Sequence, residues 1–138
     1  MTKLDLVKKW FVCASNDLYA AVSLFNSMCP KPLEIICNSS QQAVEKALKG
    51  FLIDQDIEPP CTHDLVELCG MCAKYEPSFD DDILRESCKI LTSYAYVDYP
   101  GQINVDEKDA LFATKEAKKI YTLCFEMIPY LQQDETLR

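Results

Sequence analysis

Apolar residues recur at helical spacing through most of this chain, and the breaks between the runs predict five helices. The first runs from about Lys3 to Ser27, with Leu6, Trp10, Cys13, Ala20, Ala21, Leu24 and Phe25 near one stripe. Asn16 and Asp17 place polar groups on that stripe. Cys29-Pro30-Lys31-Pro32 ends the helix, because proline has no N–H to continue the ladder. The second runs from about Leu33 to Asp54 and turns Ile36, Ser40, Ala43, Val44, Ala47, Leu48 and Phe51 inward. Gln41, Gln42, Glu45, Lys46 and Lys49 form its other face. Glu45 precedes Lys49 by one helical turn, the order that favours a weak pair of about 0.3 kcal/mol. Glu58-Pro59-Pro60 breaks the chain again.

The third helix is short, about Asp64 to Lys74, with Thr62 as the expected N-cap and Asp64 complementing the positive helix end. The fourth runs from about Phe79 or Asp80 to Tyr96, with Asp80, Asp81 and Asp82 at its start. Its inward residues are Ile83, Leu84, Ser87, Cys88, Leu91, Tyr94 and Ala95. Asp98-Tyr99-Pro100-Gly101 reads as a turn. The last helix runs from about Asp106 to Gln132, with Ala110, Leu111, Thr114, Ala117, Ile120, Tyr121, Cys124, Met127 and Ile128 inward and Pro129 disturbing its end. No strand pattern, internal repeat or low-complexity tract stands out. The expected fold is therefore all-α: residues 1–138 as a single domain, an up-and-down four-helix bundle with an additional short helix.

Composition agrees with this picture. Hydrophobic residues make up 49% and charged residues 26% of 138 residues, enough for a single core, and the 3 glycines are few for a turn-rich β fold. The net charge of -8 argues against a phosphate-backbone grip, although lysines at 46–49 and 115–119 could form local patches. No 18-residue apolar run predicts a membrane span, and the N-terminus shows no signal-peptide pattern, so a cytoplasmic protein is expected. In that reducing setting most of the 8 cysteines read as small buried hydrophobes.

Three motifs carry a resemblance. The run from Ser40 to Leu52, with Gln41, Gln42, Glu45, Lys46 and Lys49, resembles the second helix of the HEPN family. Thr62-His63-Asp64-Leu65 resembles that family's "THDL" helix start, and Tyr94 through Asp98-Tyr99-Pro100-Gly101 resembles its tyrosine–proline–glycine segment. Upstream, Ala14-Ser15-Asn16-Asp17-Leu18 fits the family's first helix. The resemblance implies a prokaryotic helical bundle that pairs as a homodimer. It also implies a partner, a minimal nucleotidyltransferase in a toxin–antitoxin-like system, and for some members a bound nucleotide. Other members are ribonucleases with an arginine followed five positions later by a histidine. Here the single histidine is His63 and position 58 is Glu58; Arg85 is followed at that interval by Ile90. Asp98 also stands where the tyrosine–proline segment usually carries arginine.

The expectation is thus a binding or regulatory module with no catalytic residues and no cofactor. Its binding residues are Gln41, Gln42, Glu45, Lys46, Lys49, His63, Asp64, Tyr94, Asp98 and Tyr99. A divergent ribonuclease toxin is the first alternative. The second is a metal or redox site. Cys69 and Cys72 form a C-x-x-C with Cys61 and His63 upstream, but the pair falls inside a predicted helix rather than a knuckle. His63 alone reads more simply as part of a helix start than as a general base. The tyrosines 94, 96 and 99 read as packing at a helix end or as an interface. Asp80–Asp82 reads as a helix-dipole complement rather than a cation site.

Overall fold

The computed structural model describes residues 1–95 and 104–134, all of whose regular elements are helical. They are α1 (Lys3–Ser27), α2 (Leu33–Asp54), α3 (Leu65–Ala73), α4 (Asp82–Thr92) and α5 (Glu107–Glu126). Single 3₁₀ turns follow α3 at Pro77–Phe79 and α5 at Pro129–Gln133. The bounds of α1 and α2 are those the sequence predicts. Thr2 and Asp5 close a capping box at the start of α1, which satisfies two of its orphan backbone donors.

The later helices are shorter than expected, and local hydrogen bonds explain why. Asp64, not Thr62, caps α3: its carboxylate accepts from the Val66 and Glu67 amides at 3.0 and 3.4 Å. Thr62 instead accepts from the Asp64 amide at 3.1 Å, which sets up the cap. Asp81 caps α4 through the Ile83 and Leu84 amides, so Asp80 stays outside the helix. Pro129 has no N–H to extend α5, and the chain tightens into the 3₁₀ turn.

The long helices α1, α2 and α5 pack on one another, and the short α3–α4 pair packs against α2. Helix α2 is therefore central. Phe51, Leu48 and Leu52 of α2 join Phe11, Leu68, Leu91 and Ile120 in one core. Polar side chains tie the ends of the short helices to it. Asn38 donates to the Tyr94 and Ala95 carbonyls at 2.8 and 2.9 Å. Thr92 Oγ1 accepts from the Leu65 amide at 3.0 Å, joining α4 to α3. Ser87 donates to Glu116 at 2.8 Å, joining α4 to α5.

Two outward-facing stripes correct the sequence reading. The buried residues of α1 are Val7, Phe11, Ala14 and Ala21. Leu6 and Cys13, expected inward, are exposed, and Ala20 with them. On α4 and α5, Ile83 is 80% exposed and Leu111 40% exposed, although both were expected inside.

Helices α1 and α2 pack closely at Gly50. A Cβ there would lie 2.8 Å from Phe11 Cε2 and 3.2 Å from Trp10 Cβ. The Phe11 ring has little room to yield, since Tyr121 and Phe125 pack on it edge-on at 5.9 and 6.4 Å between centroids. Gly70, on α3, has nothing within 4 Å of the same position. The two glycines should thus respond oppositely to alanine. Gly70→Ala should stabilise by about 0.5–1 kcal/mol, the ordinary helix-propensity gain. At Gly50 an overpacking cost of about 1–3 kcal/mol should outweigh that gain. Urea midpoints of the two variants, one above and one below the parent, would check this.

Candidate functional site

Because α2 is central, its polar face is covered rather than wet. Gln41 is 0%, Glu45 5% and Lys49 8% exposed. A carboxylate buried so deeply is tolerated only when donors surround it. Glu45 has them on both oxygens. Oε1 accepts from Gln41 Nε2 at 3.0 Å and lies 2.7 Å from His63 Nδ1. Oε2 accepts from Lys49 Nζ at 3.1 Å. Gln41 Nε2 also reaches the His63 carbonyl at 3.3 Å, and Gln42 donates to Gln41 Oε1 at 2.7 Å.

Burial alone would push the Glu45 carboxyl up. The hydrogen bonds from Gln41, His63 and Lys49, with the Lys49 charge, reverse this and hold it below the ordinary glutamate value of 4.5. The Glu45 carboxyl is therefore ionised at neutral pH.

His63 is the part of this cluster that solvent reaches, its side chain being 61% exposed. The chain delivers it from the segment after Pro59 and Pro60, just before the Asp64 cap of α3. Its Nδ1 faces Glu45, so the free nitrogen Nε2 is left to solvent. Lys46 points the other way along α2 and donates to Asp17 of α1 at 2.6 Å. Thus the polar interruption of α1 is an inter-helix bond. Lysines 46 and 49 both face carboxylates and form no basic patch.

The other predicted positions part company. Asp64 is occupied as a helix cap. Tyr94 lies in the core, 5% exposed, and burial first, then the Asp109 charge, pushes its hydroxyl up to about 12. Tyr96, Asp98 and Tyr99 lie outside the described residues. The four proposed metal ligands do not converge. Cys61 is exposed, whereas buried Cys69 and Cys72 donate to the carbonyls of Phe79 and Leu48 at 3.5 and 3.7 Å. Among the described residues no group of three or more His, Cys, Asp or Glu is placed to hold a metal ion.

Sequence reasoning missed one feature. Leu6, Lys9, Trp10 and Cys13 of α1 line a shallow groove of about 260 Å³ beside Lys46. The signal was present as an apolar stripe one residue out of step with Val7, Phe11 and Ala14, but Leu6, Trp10 and Cys13 were read as the core face in their place.

The cluster predicts its own energetics. Glu45→Gln should destabilise the protein by about 3 kcal/mol, since it leaves the Lys49 ammonium buried without its counter-charge. Adding Lys49→Met should recover much of that loss. The sign of the pH effect follows from the lowered value. The stabilisation is fully present above the ordinary glutamate range and is lost as pH falls through the depressed folded value. Chemical unfolding of the parent and of the single and double variants, from neutral pH down to below the ordinary glutamate range, would measure both.

A family model described as "HEPN domain" matches residues 7–128 of the chain. No curated protein matches it. Among solved structures it is similar to the crystal structure of TT1696 from Thermus thermophilus, with a TM-score of 0.74 and 22% identity. That match covers 88% of this chain and 98% of the other, and at this identity it speaks for the fold. With the match running from Val7 in α1 to Ile128 beyond α5, the chain belongs to the HEPN-domain family.

Proposed function

We propose that this protein is a non-catalytic HEPN module that binds a protein partner, as the homodimeric half of a toxin–antitoxin-like pair with a minimal nucleotidyltransferase. The observation behind this reading is that the Glu45 cluster is closed on itself. Metal-independent RNA cleavage needs a base for the 2′-hydroxyl and a cation for the phosphate. Lys49, the cation beside Glu45, donates to that carboxylate. Arg85 is held by Asp80 and Asp82 at the start of α4. Neither offers a free cation to a phosphate at His63.

The buried members of the cluster shape the surface, and the accessible ones meet the partner. Those are Gln42, Lys46 and His63, with the groove of Leu6, Lys9, Trp10 and Cys13 alongside. An indole flanked by lysine stems suits a protein contact, and it would also accept the flat base of a nucleotide.

One observation favours a second reading. A histidine whose Nδ1 is fixed by a buried carboxylate and whose Nε2 faces solvent is oriented as a general base. A divergent ribonuclease is the function that would use it.

Two measurements separate these readings. Tagged protein purified from its own cells should retain a nucleotidyltransferase-type protein in stoichiometric amount, and Trp10→Ala should reduce the retained amount about tenfold without altering the fold. A free homodimer with no such partner would overturn the first reading. Purified protein should leave labelled RNA intact; cleavage that disappears in His63→Ala would establish the second.

A further inference from the structure

Besides the α1 groove, the bundle leaves apolar side chains in water on α4 and α5. Ile83 is 80%, Ile90 37% and Leu111 40% exposed. The two helices are joined by the bond from Ser87 to Glu116, and between them runs a groove of about 380 Å³ lined by Asp82, Ile83, Glu86, Ser87, Ile90 and Phe112. The outer face of α5 carries a second hollow, of about 520 Å³, with Lys115, Lys119, Thr122 and Leu123 on its walls. Single exposed apolar residues are ordinary; a row of them beside a hollow marks a contact surface.

Two contacts fix the level of each residue along this face. Ser87 bonds to Glu116 at 2.8 Å. Seven residues after Ser87, Tyr94 feels the charge of Asp109, seven residues before Glu116. The helices therefore run antiparallel, turn against turn. Ile90 stands level with Phe112, Glu86 with the turn from Lys115 to Lys119, and Ile83 with the turn from Lys119 to Leu123.

We propose that this α4–α5 face is an interface between two copies of the chain, related by a two-fold axis running along the helices, so that α4 of each copy lies on α5 of the other. The inference rests on the homodimeric part of the function proposed above and gives that dimer its surface.

Such an axis keeps every residue at its own level and exchanges the two helices. Ile83 of one copy then enters the hollow beside Lys119, Thr122 and Leu123 of the other. Ile90 comes against Leu111 and Phe112. Glu86 comes to Lys115. Asp82 is held by Arg85 and Lys119 by Glu116, but among the described residues Glu86 and Lys115 form no ion pair within the chain. The face thus presents one uncommitted acid on α4 and one uncommitted base on α5, at the same level, and a second copy supplies the counter-charge to both. A partner of one sign would satisfy only one of them. The net charge of -8 repels copies at long range, but at physiological salt charges more than about 8 Å apart are largely screened, so the local match decides.

Sedimentation equilibrium of the full chain across the micromolar range tests this, with reductant present to keep the exposed Cys13, Cys29 and Cys61 from linking copies. The parent should sediment at twice the chain mass. Ile83→Glu changes a side chain already mostly in water, so it should keep the helical circular dichroism while weakening association about tenfold or more. Glu86→Lys and Lys115→Glu should each weaken association several-fold, and the two together should recover most of it, because the swapped pair re-forms twice in each dimer. That recovery also distinguishes this axis from one across the helices, which would put α4 on α4, and it is readable even if Ile83→Glu does not fold. A dimer indifferent to Ile83→Glu and to both charge changes uses another face; that result overturns this inference and leaves the homodimeric reading standing. A parent chain that stays monomeric throughout overturns both.

Discussion

The buried carboxylate of Glu45 constrains how the short helices meet the central one. Glu45 sits on the central helix with its carboxylate 5% exposed, and an ion so placed is costly unless donors meet it. Two donors come from its own helix, Gln41 one turn before and Lys49 one turn after. The third must come from elsewhere, and it is His63, ahead of α3. The segment after Pro59-Pro60 is thereby brought back onto α2, and α3 begins where that contact leaves it. The Gln41 bond to the His63 carbonyl fixes the same junction through the backbone. From there Leu65 and Leu68 enter the core, and Thr92 ties α4 to the start of α3. The short helical pair is therefore held by a carboxylate contact as well as by apolar burial.

The lengths of the long helices were legible because their ends are written in local chemistry. Proline at 30 and 32 stops α1, and Thr2 with Asp5 starts it. Which face looks inward was less legible. Adjacent residues of a helix differ by about 100° in direction, so two neighbouring apolar stripes on α1 are hard to tell apart by spacing alone. Only tertiary packing decides between Phe11 and Trp10, and Gly50 decides it by admitting the Phe11 ring against the backbone of α2. On α2 the usual rule, polar side out, fails for a different reason. A helix covered by α1, α5 and the α3–α4 pair has no fully wet side.

The residues read from the sequence as a candidate site do not announce their contacts. Glu45 and His63 lie in different motifs, and nothing in the spacing states that one carboxylate oxygen meets one ring nitrogen. The structure sorts the set by function. Gln41, Glu45 and Lys49 are the buried frame, Asp64 is a helix cap, Tyr94 is core, and Gln42, Lys46 and His63 are what a ligand could touch.

The cysteines follow a related logic. Residues i and i+3 of a helix lie near one face but diverge around it, and in a crowded core each meets a different neighbour. For Cys72 that neighbour is a carbonyl of α2; for Cys69 it is the Phe79 carbonyl, on the way to α4. A C-x-x-C motif acts as a pair when a turn lets both sulfurs face one point, and the regular helix from Leu65 to Ala73 provides no such turn. Cysteine chemistry in this fold is therefore set by which helices pack together rather than by spacing along the chain, and α3 packs on α4.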